Sequence, residues 1–321
     1  MEIIERPANK LNARKFIREQ VKAIAKAVGD GSAITALSGG VDSSAVTLLG
    51  HKALGKKLTT CFIDNGLMRQ DEPAAVAKRF EKLGIHVQVL DARDTFFKAL
   101  KGIRDPEKKR EAITQTFYKK VFGSLVKENG ARFLLQGTIL TDVEETVAGV
   151  KRQHNVLQQL GIDPQEAFGY AVIEPLLELR KDGVRKVAKA LGLPKSVYQR
   201  MPFPGPALAA RVVGAVTPEN IELVRKATAI VEQELESVKK FQCMAILHED
   251  QFTGLREGKR EFGRQIEVRC WKSVDARTAK PVWPAPGVLK KLAKRMTEEI
   301  PGVVSVTYNI APKPPSTMEA V

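Results

Sequence analysis

The sequence is poor in cysteine and in aromatic residues. Three cysteines occur among 321 residues, and phenylalanine, tryptophan and tyrosine together make up 6%. The cysteines, Cys61, Cys243 and Cys270, are far apart and form no C-x-x-C pair, which argues against a disulfide framework and against a zinc site. The basic residues are not interleaved with aromatic ones, as they are in single-strand binders. We therefore expect a protein of the reducing cytoplasm in which nucleic-acid binding is possible but not favoured.

Long apolar runs are also missing. No stretch of about eighteen consecutive apolar residues occurs, and the opening MEIIERPANKLNARKF is too charged for a secretory signal. The sequence thus predicts a soluble protein without a membrane partner. Its length and its 43% hydrophobic content are enough for two domains. A net charge of +15 indicates an anionic ligand or partner.

Short apolar runs alternate with segments of helical periodicity in the first two thirds of the chain. Strands are predicted at 33–37, 58–63, 87–90 and 132–135, and helices at Val41 to Ala53, Glu72 to Leu83 and about Glu111 to Glu128. Such alternation indicates βαβ units and a parallel sheet. We therefore expect a doubly wound α/β domain over residues 1–200.

The pattern changes after RMPFPGPALAAR, residues 200–211. Strands are predicted at 212–216, 243–247, 264–271 and 303–310, and helices at about 221–235 and 288–300. This β-α-β-β-α-β order is typical of a small α+β unit. We expect it to form a second domain over residues 201–321.

The stretch ALSGGVDSSAV, residues 36–46, follows the first predicted strand. Glycines at a strand-to-helix turn let the backbone approach a ligand, and the next helix offers free N–H groups and the positive end of its dipole. No lysine follows, unlike in the G-x-x-x-x-G-K-[ST] loop, and a carboxylate at Asp42 suggests Mg²⁺ beside a phosphate. A simple helix cap needs only one polar residue, whereas this loop contains Ser38, Gly39, Gly40, Asp42, Ser43 and Ser44.

The pattern S-G-G-x-D-S-S in this position resembles the signature of the ATP pyrophosphatases, the adenine nucleotide α-hydrolase family. The resemblance implies that residues 38–44, Val41 included, hold the β and γ phosphates of ATP. These phosphates would leave together as pyrophosphate while a substrate oxygen attacks the α phosphorus.

Further segments are similar, in chain order, to the synthetase and dimerisation regions of GMP synthases. No G-x-C-x-G glutaminase motif occurs, so the chain resembles the stand-alone synthetase subunit. The resemblance implies a homodimer that takes ammonia from a separate glutamine amidotransferase subunit or from solution. The matching segments are CFIDNGLMRQDE (61–72), LLQGTILTDVEET (134–146), IEPLLELRKDGVRKVAKALGLP (173–194), RMPFPGPALAAR (200–211), DARTAKPVW (275–283) and KPPSTMEAV (313–321).

The resemblance also implies residue roles on the ATP side. Asp42 and Asp142 would hold Mg²⁺, and Lys181 would reach the pyrophosphate. Besides the loop itself, the nucleotide would contact Ile63, Asp64, Leu67, Gly137 and Thr138. The catalytic residues would be Asp42, Lys181, Lys151 and His154.

The acceptor side departs from the family pattern. Where GMP synthases typically read KSHHNVGG, residues 151–158 read KRQHNVLQ, and RHPFPGPGL is replaced by RMPFPGPAL, with Met201 and Ala207 at the changed positions. The usual ending KPPATIEWE is here KPPSTMEAV. The acceptor-binding residues implied by the matching positions are Lys151, His154, Asn155, Pro204, Gly205, Arg277, Lys313, Thr317 and Glu319.

This contrast leaves two functions open for a GMP synthase-like enzyme, and two hypotheses from other classes stand beside them. The first, which we favour, is ATP-dependent amination of xanthosine monophosphate to GMP through an adenylylated intermediate, releasing AMP and pyrophosphate. The second directs the same ATP chemistry to another acceptor, such as an amide, a lactam, a modified base or tRNA. A tRNA-thiolating enzyme would explain the basic charge, and a nucleotide sensor without catalysis would explain the altered acceptor residues.

Overall fold

A computed structural model describes residues 3–147, 169–274 and 277–320. The chain forms two compact units, each continuous in space but not in sequence. Unit 1 comprises Met1–Asp64, Glu72–Asp91 and Phe117–Arg200, and unit 2 comprises Asn65–Asp71, Ala92–Thr116 and Met201–Val321.

Unit 1 contains a five-stranded parallel sheet in the order β3-β2-β1-β4-β5. The chain runs from β1 outward to β3, then returns to the other side of β1 for β4 and β5, so the predicted doubly wound sheet is confirmed. The carboxyl ends of β1 and β4 are neighbours where the winding direction changes, which is where such sheets bind ligands. The strands are β1 (Ala33–Ala36), β2 (Leu58–Asp64), β3 (Gln88–Asp91), β4 (Phe133–Leu135) and β5 (Ala171–Ile173).

The described helices of unit 1 include four that the periodicity did not predict, namely α1, α7, α8 and α9. The predicted helix from Glu111 to Glu128 is three consecutive segments: α5, a π-helical stretch at Thr116–Phe122, and α6. Nowhere in the described ranges is a helix long and apolar enough to cross a membrane. The helices of unit 1 are α1 (Ala13–Val28), α2 (Val41–Leu54), α3 (Glu72–Glu81), α6 (Gly123–Asn129), α7 (Leu140–Val147), α8 (Lys181–Ala190) and α9 (Lys195–Tyr198). Between α3 and α6 the chain forms α4 (Arg93–Leu100) and α5 (Pro106–Gln115), which belong to unit 2.

Helix α2 packs closely on the sheet at Gly50. A Cβ atom on this glycine would lie 2.9 Å from Cδ2 of Leu58 and closer still to Cδ1 of Leu135. These leucines belong to β2 and β4, so α2 lies against the strands on both sides of β1. The absence of a side chain at Gly50 therefore lets the second half of α2 pack directly on these strands.

Unit 2 contains a long antiparallel hairpin of β6 (Gln242–Arg256) and β7 (Lys259–Lys272). The short β8 (Lys280–Pro281) pairs antiparallel with the last residues of β7, and β9 (Val303–Tyr308) pairs parallel with the middle of β7. Two further helices of this unit are described besides α4 and α5, namely α10 (Pro218–Glu234) and α11 (Pro286–Glu299). The predicted α+β character of this part is confirmed.

The predicted strand at 212–216 is wrong. Only Val212 forms a β-bridge, with Leu247, and Val213 donates its N–H to the carbonyl of the same leucine. Gly214 then adopts a φ of +90°, a conformation in which no strand continues. The apolar run therefore ends after one bridge and leads into α10.

We predict that Gly50→Val lowers the free energy of unfolding by about 1–3 kcal/mol, because an added side chain overpacks α2 against Leu58 and Leu135. Gly287→Ala is the matched control, since a Cβ on this second helical glycine meets nothing within 4 Å. Denaturant unfolding should show unchanged or higher stability for the control. Equal stability of Gly50→Val and wild type would contradict the tight packing.

Candidate active site

The loop of residues 38–44, here termed the phosphate loop, joins β1 to α2. Gly39 has a φ of +76°, and Gly40 is the N-cap of α2 without any side-chain hydrogen bond to the helix. The hydroxyls of Ser38 and Ser43 lie 2.9 Å apart, and the Ser38 N–H donates to Ser43 Oγ at 3.2 Å. Because no side chain of the described residues caps the first turn, its N–H groups can bind an anion.

Asp42 lies in the first turn of α2 and forms a salt bridge with Lys181, the first residue of α8. Lys181 binds Oδ2 of the carboxylate, whereas Oδ1 is buried and has no hydrogen-bond partner in the described part of the chain. The buried Oγ of Ser44 is likewise without a partner there. The structure thus brings to the loop the lysine that its sequence lacks, beside two oxygens that can accept new contacts.

The segment after β4 approaches this loop at Gly137. A Cβ there would lie 3.1 Å from both the carbonyl carbon of Asp42 and the backbone nitrogen of Ser43. Thr138 is fully buried and accepts a hydrogen bond from Gln136 Nε2 at 3.0 Å. The β1 and β4 ends therefore form one crevice, and Gly137 is at its closest approach.

Asp142 lies in the first turn of α7, the helix that follows the segment after β4. Its Oδ2 accepts the N–H of Ile139 at 3.1 Å near the start of α7. Asp42 and Asp142, the two carboxylates predicted to hold Mg²⁺, therefore lie in the same unit. No cluster of three or more His, Cys, Asp or Glu side chains suited to a metal ion occurs within the described ranges.

The residues at the end of β2 and just after it that were predicted to contact the nucleotide fall in different units. Ile63, 6% exposed, and Asp64, the last residue of β2, lie in unit 1 with the phosphate loop. Leu67 is fully buried in unit 2, where its N–H donates to Asn65 Oδ1 at 2.9 Å and its carbonyl accepts the N–H of Leu208 at 2.9 Å. The nucleotide contact predicted for Leu67 therefore stays a prediction.

Glu174 was not singled out by the sequence. It follows β5 directly, next to the segment after β4, and hydrogen-bonds with Thr138 and Gln136. Burial raises the pKa of Glu174 above its usual range, against the opposing effect of these hydrogen bonds. The residue escaped notice because the three-residue β5 was not predicted.

A second polar cluster lies in unit 2 around Glu319. Its Oε1 accepts Gln242 Nε2 at 2.8 Å, and its Oε2 lies 3.5 Å from Arg211 Nε. Arg211 is completely buried, and its Nη1 and Nη2 have no hydrogen-bond partner among the described residues. A buried guanidinium with open donors is costly for the fold and suited to an acceptor group on a ligand.

The loop of residues 202–207 stacks Phe203 against two arginines. The guanidinium carbons of Arg69 and Arg211 lie 3.9 and 4.8 Å from the centre of its ring. Arg69 also pairs with Glu232 at 2.7 Å. The cation–π contacts fix the aromatic ring beside the Arg211 side chain.

The predicted acceptor residues Pro204 and Gly205 form a turn in this loop. The carbonyl of Pro204 accepts the N–H of Ala207 at 2.9 Å, and Gly205 is exposed. Ala207 has a φ of +54°, so it adopts a left-handed conformation that usually favours glycine.

The other residues predicted to bind the acceptor substrate lie at separate places in the chain. The backbone of Lys313 pairs with Ala279 through hydrogen bonds of 2.8 and 3.0 Å, and the Thr317 hydroxyl donates to the Glu319 carbonyl at 2.6 Å. Arg277 is exposed. Lys151, His154 and Asn155 lie outside the described residues, so their predicted roles stay predictions.

The side chains of Arg69, Phe203, Arg211, Gln242 and Glu319 are here termed the unit 2 cluster. Sequence reasoning missed three of them: Arg69, Arg211 and Gln242. Arg211 ends the motif RMPFPGPALAAR and could have been found as the one charged side chain next to an apolar run. Arg69 and Gln242 carry no such signal. Only the fold brings them to Phe203 and Glu319.

The three cysteines are not poised for nucleophilic chemistry. All are free and buried, and burial raises the pKa of Cys61 and Cys243 to about 12 and that of Cys270 to about 11. The thiolate is the reactive form. The expectation that Cys61 packs as a small apolar residue agrees with its complete burial.

Comparison with known proteins matches both parts of the chain. The family described as PP-loop domain matches residues 13–194, and the family described as GMP synthase C terminal domain matches residues 229–320. One subunit of the glutamine-hydrolyzing GMP synthase of Archaeoglobus fulgidus is 47% identical over 96% of this chain and 99% of its own. The corresponding subunits from Pyrococcus abyssi and Methanocaldococcus jannaschii are 46% and 44% identical, over 96% and 95% of this chain and 99% and 98% of theirs. The chain belongs to the GMP synthase family, in the group whose synthetase is a separate subunit.

Proposed function

We propose that the protein is the synthetase subunit of a GMP synthase. It adenylylates the carbonyl oxygen at purine position 2 of xanthosine monophosphate with ATP, and ammonia then displaces AMP to give GMP. The observation that supports this best is the salt bridge between Lys181 and Asp42 of the phosphate loop, in which Asp42 Oδ1 keeps no partner among the described residues. It occurs in a chain of this family. Residues 1–200 would form the ATP pyrophosphatase domain and residues 201–321 the dimerisation and substrate domain.

The geometry of the phosphate loop suits loss of pyrophosphate from ATP. The uncapped N-terminus of α2 and the hydroxyls of Ser38, Ser43 and Ser44 would bind the β and γ phosphates. Lys181 would add a positive charge where the leaving pyrophosphate gathers negative charge. The α phosphorus would then be the one left open to the attacking oxygen, with Ile63, Asp64, Gly137 and Thr138 near the rest of the nucleotide.

Magnesium fits this arrangement. The partnerless Oδ1 of Asp42 is a ready oxygen ligand, and Asp142 is the second carboxylate near the crevice. Because Mg²⁺ is usually held by one or two carboxylates together with substrate phosphates and water, two carboxylates suffice. When bound, the ion would neutralise phosphate charge. Asp42 would thereby hold the metal on one oxygen and orient Lys181 with the other.

The unit 2 cluster is our candidate for acceptor recognition. The Nη atoms of Arg211, which have no hydrogen-bond partner among the described residues, can donate to an anionic or carbonyl oxygen of the nucleotide. The Glu319 carboxylate beside them can accept hydrogen bonds from N–H groups of a purine. Further contacts are proposed for the matched positions Lys151, His154, Asn155, Pro204, Gly205, Arg277, Lys313 and Thr317. Exclusion of water from the adenylylated intermediate would prevent its hydrolysis.

The partners follow from the relatives. Each relative is named as one subunit of a glutamine-hydrolyzing enzyme, and we infer that this chain receives ammonia from a separate glutamine amidotransferase subunit. The three free thiols agree with a reducing cytoplasm. A tRNA-thiolating role is disfavoured, because such enzymes commonly use a pair of reactive cysteines, whereas the three cysteines here are buried and form no C-x-x-C pair.

We also propose that unit 2 forms a homodimer. Leu255 and Phe262 are 80% and 64% exposed and lie on the same face of the β6–β7 hairpin, since Leu255 is paired with Arg260 and Phe262 with Thr253. Large exposed apolar side chains grouped on a hairpin mark an interaction surface. A second copy of the chain would cover them.

The reaction predicts a specific set of products. Incubation with ATP, Mg²⁺, xanthosine monophosphate and ammonium should give GMP, AMP and pyrophosphate in equal amounts, because the phosphate loop directs cleavage to the α phosphorus. Chromatography of labelled nucleotides measures all three. ADP and orthophosphate would contradict the ATP chemistry, turnover only with another acceptor would support the second function, and ATP binding without turnover would indicate a sensor.

Glu319→Gln should raise the KM for xanthosine monophosphate about tenfold or more, since loss of a hydrogen bond to a charged group costs about 1.5–3 kcal/mol. The KM for ATP should change less than twofold. Steady-state kinetics checks both values. Glu236→Gln, an exposed glutamate of the same unit, is the control, and an unchanged KM for xanthosine monophosphate in Glu319→Gln would remove Glu319 from the acceptor site.

Light scattering should give twice the chain mass of 35.4 kDa. The double variant Leu255→Glu/Phe262→Glu should give the monomer mass, because both added carboxylates would have to be buried without partners at the interface. Circular dichroism confirms that the variant is folded. A dimer that tolerates both glutamates would place the interface elsewhere.

A further inference from the structure

Arg200 contacts the phosphate loop from the end of unit 1. Its Nη1 donates to the carbonyl oxygen of Gly39 at 3.2 Å, and its Nη2 lies 2.6 Å from Oε1 of Glu72. The side chains of Arg200 and Glu72 are 24% and 4% exposed. One guanidinium therefore joins a backbone carbonyl of the phosphate loop to a nearly buried carboxylate.

Glu72 is well suited to anchor this arginine. It is the first residue of α3, where the positive end of the helix dipole stabilises a carboxylate. A second cation, Arg79, lies close enough for the charges of Arg200 and Glu72 to act on it. Burial and the charge of Arg200 lower the pKa of Arg79, and the charge of Glu72 raises it. Glu72 thus offsets two arginines and holds Arg200 in a fixed position.

The fit around Gly39 leaves little freedom. A Cβ on Gly39 would lie 2.8 Å from Cγ2 of Val76, 3.2 Å from Nη1 of Arg200 and 3.3 Å from Oε1 of Glu72. The left-handed φ of +76° is itself open mainly to glycine. The backbone turn of the loop is therefore packed directly on the Glu72–Arg200 pair.

The hydrogen bond to Gly39 also orients an N–H group of the phosphate loop. In a trans peptide unit the C=O of one residue and the N–H of the next point in opposite directions. Arg200, by holding the Gly39 carbonyl, fixes the direction of the Gly40 N–H. That N–H makes only a long contact of 3.4 Å with Ser38 Oγ, so a phosphate oxygen can readily replace this partner.

We propose that Arg200, anchored by Glu72, is a positioning residue that aligns the Gly40 N–H of the phosphate loop for the β and γ phosphates. This inference rests on the proposed ATP pyrophosphatase function. Arg200 acts through the Gly39 carbonyl and does not bind the nucleotide. Its effect is therefore confined to ligands that carry the phosphates bound by the loop.

Calorimetric titration with pyrophosphate, ATP and AMP tests the proposal. Arg200→Gln should weaken binding of pyrophosphate and ATP about tenfold or more, whereas AMP, which lacks the β and γ phosphates, should bind within twofold of wild type. Arg200→Lys should restore part of the loss, because it keeps the charge but not both contacts. The control is Arg6→Gln, which removes an arginine of the same unit with two carboxylate partners and should leave all three affinities unchanged.

Glu72→Gln separates positioning from direct charge. If Arg200 is a positioning residue, loss of its anchor weakens pyrophosphate and ATP binding about as much as Arg200→Gln does, although the site becomes more positive. Tighter binding of pyrophosphate by Glu72→Gln would overturn the proposal in favour of direct phosphate contact. Equal weakening of AMP in Arg200→Gln would show a merely structural role. Failure of wild type to bind pyrophosphate or ATP would instead reject the proposed function.

Discussion

The uncapped N-terminus of α2 is the constraint around which unit 1 is arranged. The N-cap of this helix, Gly40, offers no side chain to the first N–H groups, and these groups lie where β1 and β4 end side by side. An anion is the partner that such a helix end favours. Gly50 lets α2 lie close to the strands, Gly137 lets the segment after β4 reach the loop, and Lys181 supplies the cation. Together these features suit a loop that holds phosphate.

Both units keep polar atoms without partners where a ligand is expected. In the described part of unit 1 these are Asp42 Oδ1 and Ser44 Oγ, and in that of unit 2 they are the Nη atoms of Arg211. A buried polar atom without a hydrogen bond costs the fold about 1–3 kcal/mol. Thr228 Oγ1 in α10 is also partnerless in the described chain and lies in no matched motif, so such an atom alone does not identify a site. The matched motifs and the nearby charges do.

The sequence revealed the parts of this fold that depend on local pattern. Hydrophobic periodicity and composition predicted β1, β2 and α2. The glycines and serines of residues 38–44 predicted the phosphate loop, because the conformation of a turn depends mainly on residues adjacent in sequence. Contacts between residues far apart in the chain could not be predicted from such local patterns. Family resemblance implied that Lys181 reaches the pyrophosphate, but its salt bridge to Asp42 was not predicted, nor were the hydrogen bonds from Arg200 to Gly39 and from Gln242 to Glu319. Short β5 and the single bridge at Val212 fall below the length that periodicity can resolve.

Two departures from the family pattern, at Met201 and Ala207, lie beside and within the loop of residues 202–207. Ala207 stands where GMP synthases typically have glycine, and it keeps the left-handed φ that glycine would adopt. Met201 stands at a family histidine, and its sulfur accepts the N–H of Cys243 at 3.1 Å, a role open to a histidine nitrogen as well. Since both replacements preserve a local geometry, and Glu319 still contacts Gln242 and Arg211, neither substitution argues for a different acceptor. Any change of acceptor would have to come from the remaining sequence differences, chiefly those at residues 151–158.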